Sequence, residues 1–263
     1  MRIQFDYTRI HRLLSVDALN PTEALQLGTV MRDRRRARRV GPPPSVWLSK
    51  TLGEWISASA ASVLVLEGSF IRREDSRDFA LDLIHLARSV QMPTVWVLGA
   101  NMPSLSAVDA IQSLIQQILD LHGERFTDSA LSEQDFRSCN TTTDWIDLFI
   151  TVVNHVPRCL LVVEAQDKSL QTVQMMEQFW GEVVKRRVKT VLKILLLTYQ
   201  GTKTAVAFPS SAEEYGSFHM NIKGNRRPGT ARSYSTPLRG SQRGSQTAGT
   251  LRFKPLVMKL LGG

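Results

Sequence analysis

Three stretches of the sequence combine residue types and spacing suited to phosphate and metal chemistry. The first is Leu66-Glu67-Gly68-Ser69-Phe70-Ile71-Arg72-Arg73-Glu74-Asp75-Ser76, a glycine directly after an apolar run and ahead of a helical pattern. A loop of the form G-x-x-x-x-G-K-[ST] in that setting cradles phosphates with backbone N–H groups and a lysine. Counted from Gly68, Arg73 takes the place of the second glycine, Glu74 that of the lysine and Asp75 that of the hydroxyl residue. One residue of extra loop puts Asp75 and Ser76 in the last two places instead. Either count replaces the cation by a carboxylate. Like charges ~4 Å apart repel by about 1 kcal/mol in water and several times more at a partly buried site. Arg72 and Arg73 offer partial compensation. The plainer alternative, and the weightier one, is a helix capped by Asp75 or Ser76, with its acids at the positive end of the dipole.

The second stretch is Leu161-Val162-Val163-Glu164-Ala165-Gln166-Asp167, where an apolar run leads to an acid. That is the Walker B form, in which the acid holds Mg²⁺. An acid opening a loop after a buried strand is also common without that role. The third stretch, Leu197-Thr198-Tyr199, ends a strand with a polar residue where a γ-phosphate would be sensed; a strand-end hydrogen bond is the stronger explanation of Thr198. The candidate nucleotide site is therefore Gly68, Ser69, Arg72, Arg73, Ser76 and Thr198, with Glu164 as a metal ligand only if a Mg-nucleotide binds. No residue is assigned a catalytic role. His85 has no second ligand at metal spacing. His155 and Cys159 flank Pro157 without a third member, so a cysteine nucleophile is not expected. Trp47, Trp55, Trp96, Trp145 and Trp180 fall at core positions.

The elements that must position these residues follow from apolar patterning. Residues 62–66, 94–98, 159–163 and 192–197 are short, nearly continuous Val/Ile/Leu runs, the signature of strands buried on both faces. Helical periodicity separates them: Phe79, Leu83, Leu86, Ala87 and Val90; Leu105 through Leu119, ending at Gly123 as a C′ glycine; Trp145 through Val153; Val173 through Val183. Strands alternating with helices give an α/β fold, a three-layer parallel sheet of four to five strands flanked by helices. Residues 217–222 supply the fifth, edge strand.

The ends differ from the middle. Residues 1–44 carry nine arginines and four acids, and read as a helical basic extension closed by the linker Gly41-Pro42-Pro43-Pro44. Its helix starts at Asn20-Pro21-Thr22-Glu23 and runs into Arg34-Arg35-Arg36-Ala37-Arg38-Arg39, a solvated or binding face. Residues 45–222 hold fifteen basic and twenty acidic residues, and residues 223–263 nine basic and none acidic. That last segment is rich in Gly, Ser and Arg and is expected to be disordered. The formal net charge of +9 thus belongs to the arms, which would attract polyanions, nucleic acid included. No apolar run is long enough to span a bilayer, the N-terminus has no signal-peptide pattern, and two cysteines make no disulfide framework. A reducing, cytoplasmic setting is expected, with the nucleus as the alternative.

Trp47…Leu52…Trp55, then Ser62-Val63-Leu64-Val65-Leu66-Glu67-Gly68, then Leu160-Leu161-Val162-Val163-Glu164, then Lys193-Ile194-Leu195-Leu196-Leu197-Thr198 resemble, in order, the P-loop core of STAND-type (NACHT-like) NTPases of fungi. The resemblance covers about residues 45–200 and implies a nucleotide-gated switch. Those relatives carry glycine-lysine-serine/threonine and aspartate where this chain has Arg73-Glu74-Asp75 and Glu164. The expectation is a non-catalytic P-loop NTPase-like module for an unidentified protein partner, with no cofactor. The alternatives are a Mg-dependent ATP- or GTP-binding NTPase, with Arg72 and Arg73 replacing the lysine, and nucleic-acid binding through the arms.

Overall fold

The computed structural model describes residues 7–14, 20–38, 45–69, 73–99, 106–126, 131–165, 170–200, 208 and 215–222. Arg39, residues 41–44, Leu105, the candidate ligand Arg72 and the 223–263 arm lie outside them. Five strands, β1 (Ser62–Ser69), β2 (Thr94–Val97), β3 (Arg158–Glu164), β4 (Val191–Gln200) and β5 (Gly216–Ile222), form one sheet in the order β2-β3-β4-β1-β5, and every pair is parallel. The helices are α1 (Tyr7–Leu13), α2 (Pro21–Arg38), α3 (Lys50–Ser57), α4 (Arg73–Ser89), α5 (Ala107–His122), α6 (Glu133–Ser138), α7 (Thr142–Val153) and α8 (Leu170–Lys185). This is the expected three-layer α/β architecture, a parallel sheet flanked by helices, with 217–222 in its edge strand. Among the described residues no helix is long and apolar enough to cross a membrane.

Strand alternation sorts the two cores. Val63, Val65, Leu161, Val163, Ile194 and Leu196 face α1, α5, α6, α7 and α8 in the larger one. Leu64, Leu66, Leu160, Val162, Leu195 and Leu197 face α2, α3 and α4 in the smaller. Each central strand is thus apolar on both sides, as parallel strands under helices must be. All five tryptophans are buried. Local signals start several helices. Ser106 and Asp109 form a capping box on α5, Thr141 and Asp144 one on α7, and Asn20 Oδ1 accepts from the Thr22 N–H on α2. Gly123 departs from expectation. Its φ of −47° is right-handed, and the chain tightens into a 3-10 turn, Gly123–Phe126, that buries Phe126.

The composition places a boundary at residue 44, yet both helices before it share the cores of the sheet. Ile10 and Leu14 are fully buried in the larger core and Leu25 is buried in the smaller. A Cβ on Gly28 would stand 3.1 Å from Leu81 Cδ2, so glycine lets α2 lie close against α4. The arginine face of α2 is correspondingly not all solvated. Arg32 donates to Asp82 at 2.9 Å, Arg36 also pairs with Asp82, and Arg35 pairs with Asp78 and, at 2.9 Å, with Glu74. The acids stand at 74, 78 and 82 on one stripe of α4, matched by α2 at 32, 35 and 36. Arg34 and Arg38 remain exposed.

Lys193 sits on a buried strand at 3% exposure. Its ammonium donates to the carbonyls of Trp55 (2.9 Å) and Ala58 and to Ser62 Oγ (3.0 Å), tying the end of α3 to β1 and β4. Burial pulls its pKa down to about 8.

Asp78 is 1% exposed and Arg35 is its cation. Arg35→Ala leaves a buried carboxylate unpaired and is expected to cost ~2–3 kcal/mol, read as a lower urea midpoint at unchanged slope. Arg34→Ala, on the exposed side of the same helix, is expected to leave the midpoint where it is.

Candidate functional site

The carboxyl ends of β1, β3 and β4 meet the start of α4. Alternation puts Gly68, Glu164 and Tyr199 on the α4 face, and the register sets Gly68 beside Tyr199 and Glu164 beside Leu197. Glu164 is the centre of the site. Its side chain is 0% exposed. One carboxylate oxygen accepts from Arg77 Nε at 2.6 Å and from the Tyr199 hydroxyl. The other accepts from the Gly99 backbone N–H at 2.8 Å, just past the end of β2. Arg77 lies one turn inside α4 and also donates to Glu74 at 3.2 Å. Burial acts to lower the Arg77 pKa, but Glu164, Tyr199 and Glu74 outweigh it and hold the guanidinium above its ordinary value. Burial, followed by the negative charge of Glu164, pushes the Tyr199 hydroxyl well above the usual phenol range, so it remains a proton donor.

Gly68, expected in a loop, lies instead in the ladder. β1 continues through Ser69, with Gly68 paired to Tyr199 on one side and Ile222 on the other. Its backbone is held by two neighbouring strands, and only residues 70–72 separate β1 from α4. A Cβ on Gly68 would come 2.7 Å from Ser76 Oγ, which is buried. In a phosphate loop the space over such a glycine belongs to the ligand; here the first turn of α4 fills it.

The other expected residues divide. Ser76 and Glu164 converge with Gly68. Arg73, the first residue of α4, pairs with Glu74 at 3.5 Å, and Ser69 ends β1 beside Gln200. Thr198 is buried, but alternation puts it on the face opposite Glu164, and Tyr199 holds the position facing the acid. Glu74, in the lysine's place, is taken by Arg35 and Arg77. Sequence reading misses Arg77 and Tyr199. The available signals are an arginine at i+3 from Glu74 and a tyrosine in phase with Leu195 and Leu197.

The arrangement disfavours Mg-nucleotide chemistry on electrostatic grounds. Both oxygens of Glu164 are engaged, and one of its partners is a cation. A divalent ion ~4 Å from that guanidinium would be repelled by about 2 kcal/mol even in water. Among the described residues no group of three or more His, Cys, Asp and Glu side chains could hold a metal ion. The cysteines and histidines noted in the sequence stand apart from this cluster in their surroundings. Burial pushes the Cys159 thiol up to about 12, and burial with Asp144, Asp135 and Asp147 nearby pushes Cys139 to about 11. His85 shares a 2.8 Å hydrogen bond with Thr29, and burial followed by Arg32 and Arg88 lowers its pKa, leaving it neutral at pH 7. His155 Nδ1 lies 2.8 Å from the Thr151 carbonyl in its own helix turn.

No protein-family model and no curated protein matches the chain. Among solved structures it is similar to Drosophila ORC bound to AT-rich DNA and Cdc6, with 14% identity and a TM-score of 0.36 over 78% of this chain and 61% of that one. It is also similar to Drosophila ORC bound to GC-rich DNA and Cdc6 (6% identity, TM-score 0.41, 82% of this chain and 33% of that one). A third is Drosophila ORC bound to DNA (12% identity, TM-score 0.37, 77% of this chain and 94% of that one). The chain spans about three fifths of the first of these and a third of the second.

Two outcomes test the closed site. Arg77→Ala leaves Glu164 buried without its cation and is expected to cost ~3 kcal/mol; adding Glu164→Gln should recover much of that loss in the same denaturation assay. Tyr199 has a folded pKa above its unfolded value of 10.0. Its contribution is therefore fully present below pH 10 and is lost as the pH rises beyond it. Tyr199→Phe is expected to lower stability at pH 7 by ~1 kcal/mol and to flatten the decline above pH 10.

Proposed function

We propose that this chain is a non-catalytic, P-loop NTPase-like protein-interaction module whose phosphate-binding site is degenerate. One observation carries the reading: the Walker B acid, Glu164, is bonded to Arg77, Tyr199 and the Gly99 N–H, so the acid that would hold the metal of a Mg-nucleotide is already taken by the protein's own groups. The engagement of Glu74 by Arg35 and Arg77 supports it, because the residue in the lysine's place is already neutralised inside the protein. In this reading the likeness to STAND-type, NACHT-like cores of fungi is one of frame, without the gating chemistry. The module would work in the cytoplasm through its surfaces, and the basic arms would add a salt-sensitive affinity for polyanions.

The test is calorimetric titration of the full chain with ATP, GTP and inorganic pyrophosphate, with and without Mg²⁺, at about 0.15 M and about 0.5 M salt. The full chain is needed because α1 and α2 are part of the cores. Expected heats are alike for the three ligands, independent of Mg²⁺ and absent at the higher salt, as for binding to the arms alone. Micromolar binding that requires Mg²⁺ and persists at the higher salt would overturn the proposal and restore the nucleotide-switch alternative.

A further inference from the structure

β5 (Gly216–Ile222) pairs with β1 on one side, and among the described residues no strand lies along its other edge. At ~3.3 Å per residue that edge runs for about 23 Å. Its sequence, Gly216-Ser217-Phe218-His219-Met220-Asn221-Ile222, contains no Lys, Arg, Asp, Glu or Pro. Charged residues and proline are what monomeric proteins use to blunt an edge. The opposite edge is protected in the usual way: β2 has four residues and follows Pro93. Phe218 and Met220 are half-buried against the smaller core, while His219 and Asn221 are exposed. α3 packs along β5, and Leu48, just ahead of α3, is 86% exposed.

We propose that β5 is a self-association edge and that its partner is β5 of a second copy of this chain, paired antiparallel about a two-fold axis at His219. Only that centre pairs all seven residues. In that register Phe218 lies opposite the second copy's Met220, and Met220 opposite its Phe218, giving two aromatic–thioether pairs on the α3 face. Ser217 lies opposite the second copy's Asn221 on the other face, and His219 meets its own counterpart. The strand is complementary to itself and sets no Lys, Arg, Asp or Glu against its like. The contact is isologous and closed, so it yields a dimer rather than a fibre. One strand pair with its flanking helices is at the small end of stable interfaces, so a micromolar dimer is expected. The proposal is independent of the closed phosphate site.

The experiment is sedimentation of the full chain from about 1 to about 200 µM, an interval that brackets a micromolar dissociation constant. The wild type is expected to pass from monomer to dimer. His219→Lys and His219→Glu each place like charges in opposition at the axis and should raise the dissociation constant roughly tenfold or more. Both change an exposed residue, so their circular dichroism and melting should match the wild type. An equimolar mixture of the two variants should restore the dimer mass, since a lysine faces a glutamate across the axis only in the mixed pair. A wild type that stays monomeric throughout overturns the proposal; this is also the outcome if residues 251–261 or a foreign strand occupy the edge. A dimer that His219→Lys leaves unchanged overturns it as well.

Discussion

The ion pair between Glu164 and Arg77 is the constraint around which the sheet's carboxyl end is arranged. A carboxylate at the end of a fully buried strand must be matched by a cation or lie exposed. Arg77 can reach it only if the first turn of α4 lies directly on β1, β3 and β4. Glycine at 68 eases that approach, since a Cβ there would stand 2.7 Å from Ser76 Oγ. The same approach brings Glu74, Asp78 and Asp82 to the outer side of the same helix, where they face α2. The arginines at 32, 35 and 36 answer them. One buried charge thus sets the position of α4, the glycine beneath it and the charges of the helix above it.

The charges at the carboxyl end of the sheet are satisfied from within the chain. In a working site a cation on the loop and an acid on the third strand stand apart, and the nucleotide and its metal lie between them. Here Arg77, one turn into α4, touches Glu164 directly. Their separation is a hydrogen bond, 2.6 Å, with no room for an intervening ion. Tyr199 and the Gly99 N–H take the remaining directions of the carboxylate. The result is a site whose charges are balanced before any ligand arrives.

Much of this fold is legible in the sequence because apolar runs buried on both faces have few other readings. The runs at 62–66, 159–163 and 192–197 are β1, β3 and β4, and the weak alternation at 217–222 is β5. What escapes is whatever depends on two distant segments meeting. Arg77 looks like one more charge on an amphipathic helix, and its partner lies 87 residues away. Polarity at the strand end points to Thr198, but phase decides which face a residue serves, and phase selects Tyr199. The arginines of α2 suggest solvent because their acids are on another helix. A glycine after an apolar run usually ends it, which assigns Gly68 to the loop, whereas pairing with β4 and β5 on both sides carries the ladder through it.

The closure is a coupled set, and that makes it hard to reverse. A lysine restored at 74 would replace an acid now shared by Arg35 and Arg77, and would face both guanidinia with Arg73 beside it. Removing Arg77 to make room strands a carboxylate that is fully buried. Replacing Glu164 by the customary aspartate shortens the side chain by one methylene, away from the arginine and the tyrosine that now satisfy it. Each single step toward a working phosphate site therefore passes through an unpaired buried charge or a cluster of like charges. Each is a loss of roughly several kcal/mol, set against the about 5–15 kcal/mol that usually holds a domain together. The Glu164–Arg77–Tyr199 cluster thus holds the sheet and α4 together at the carboxyl end.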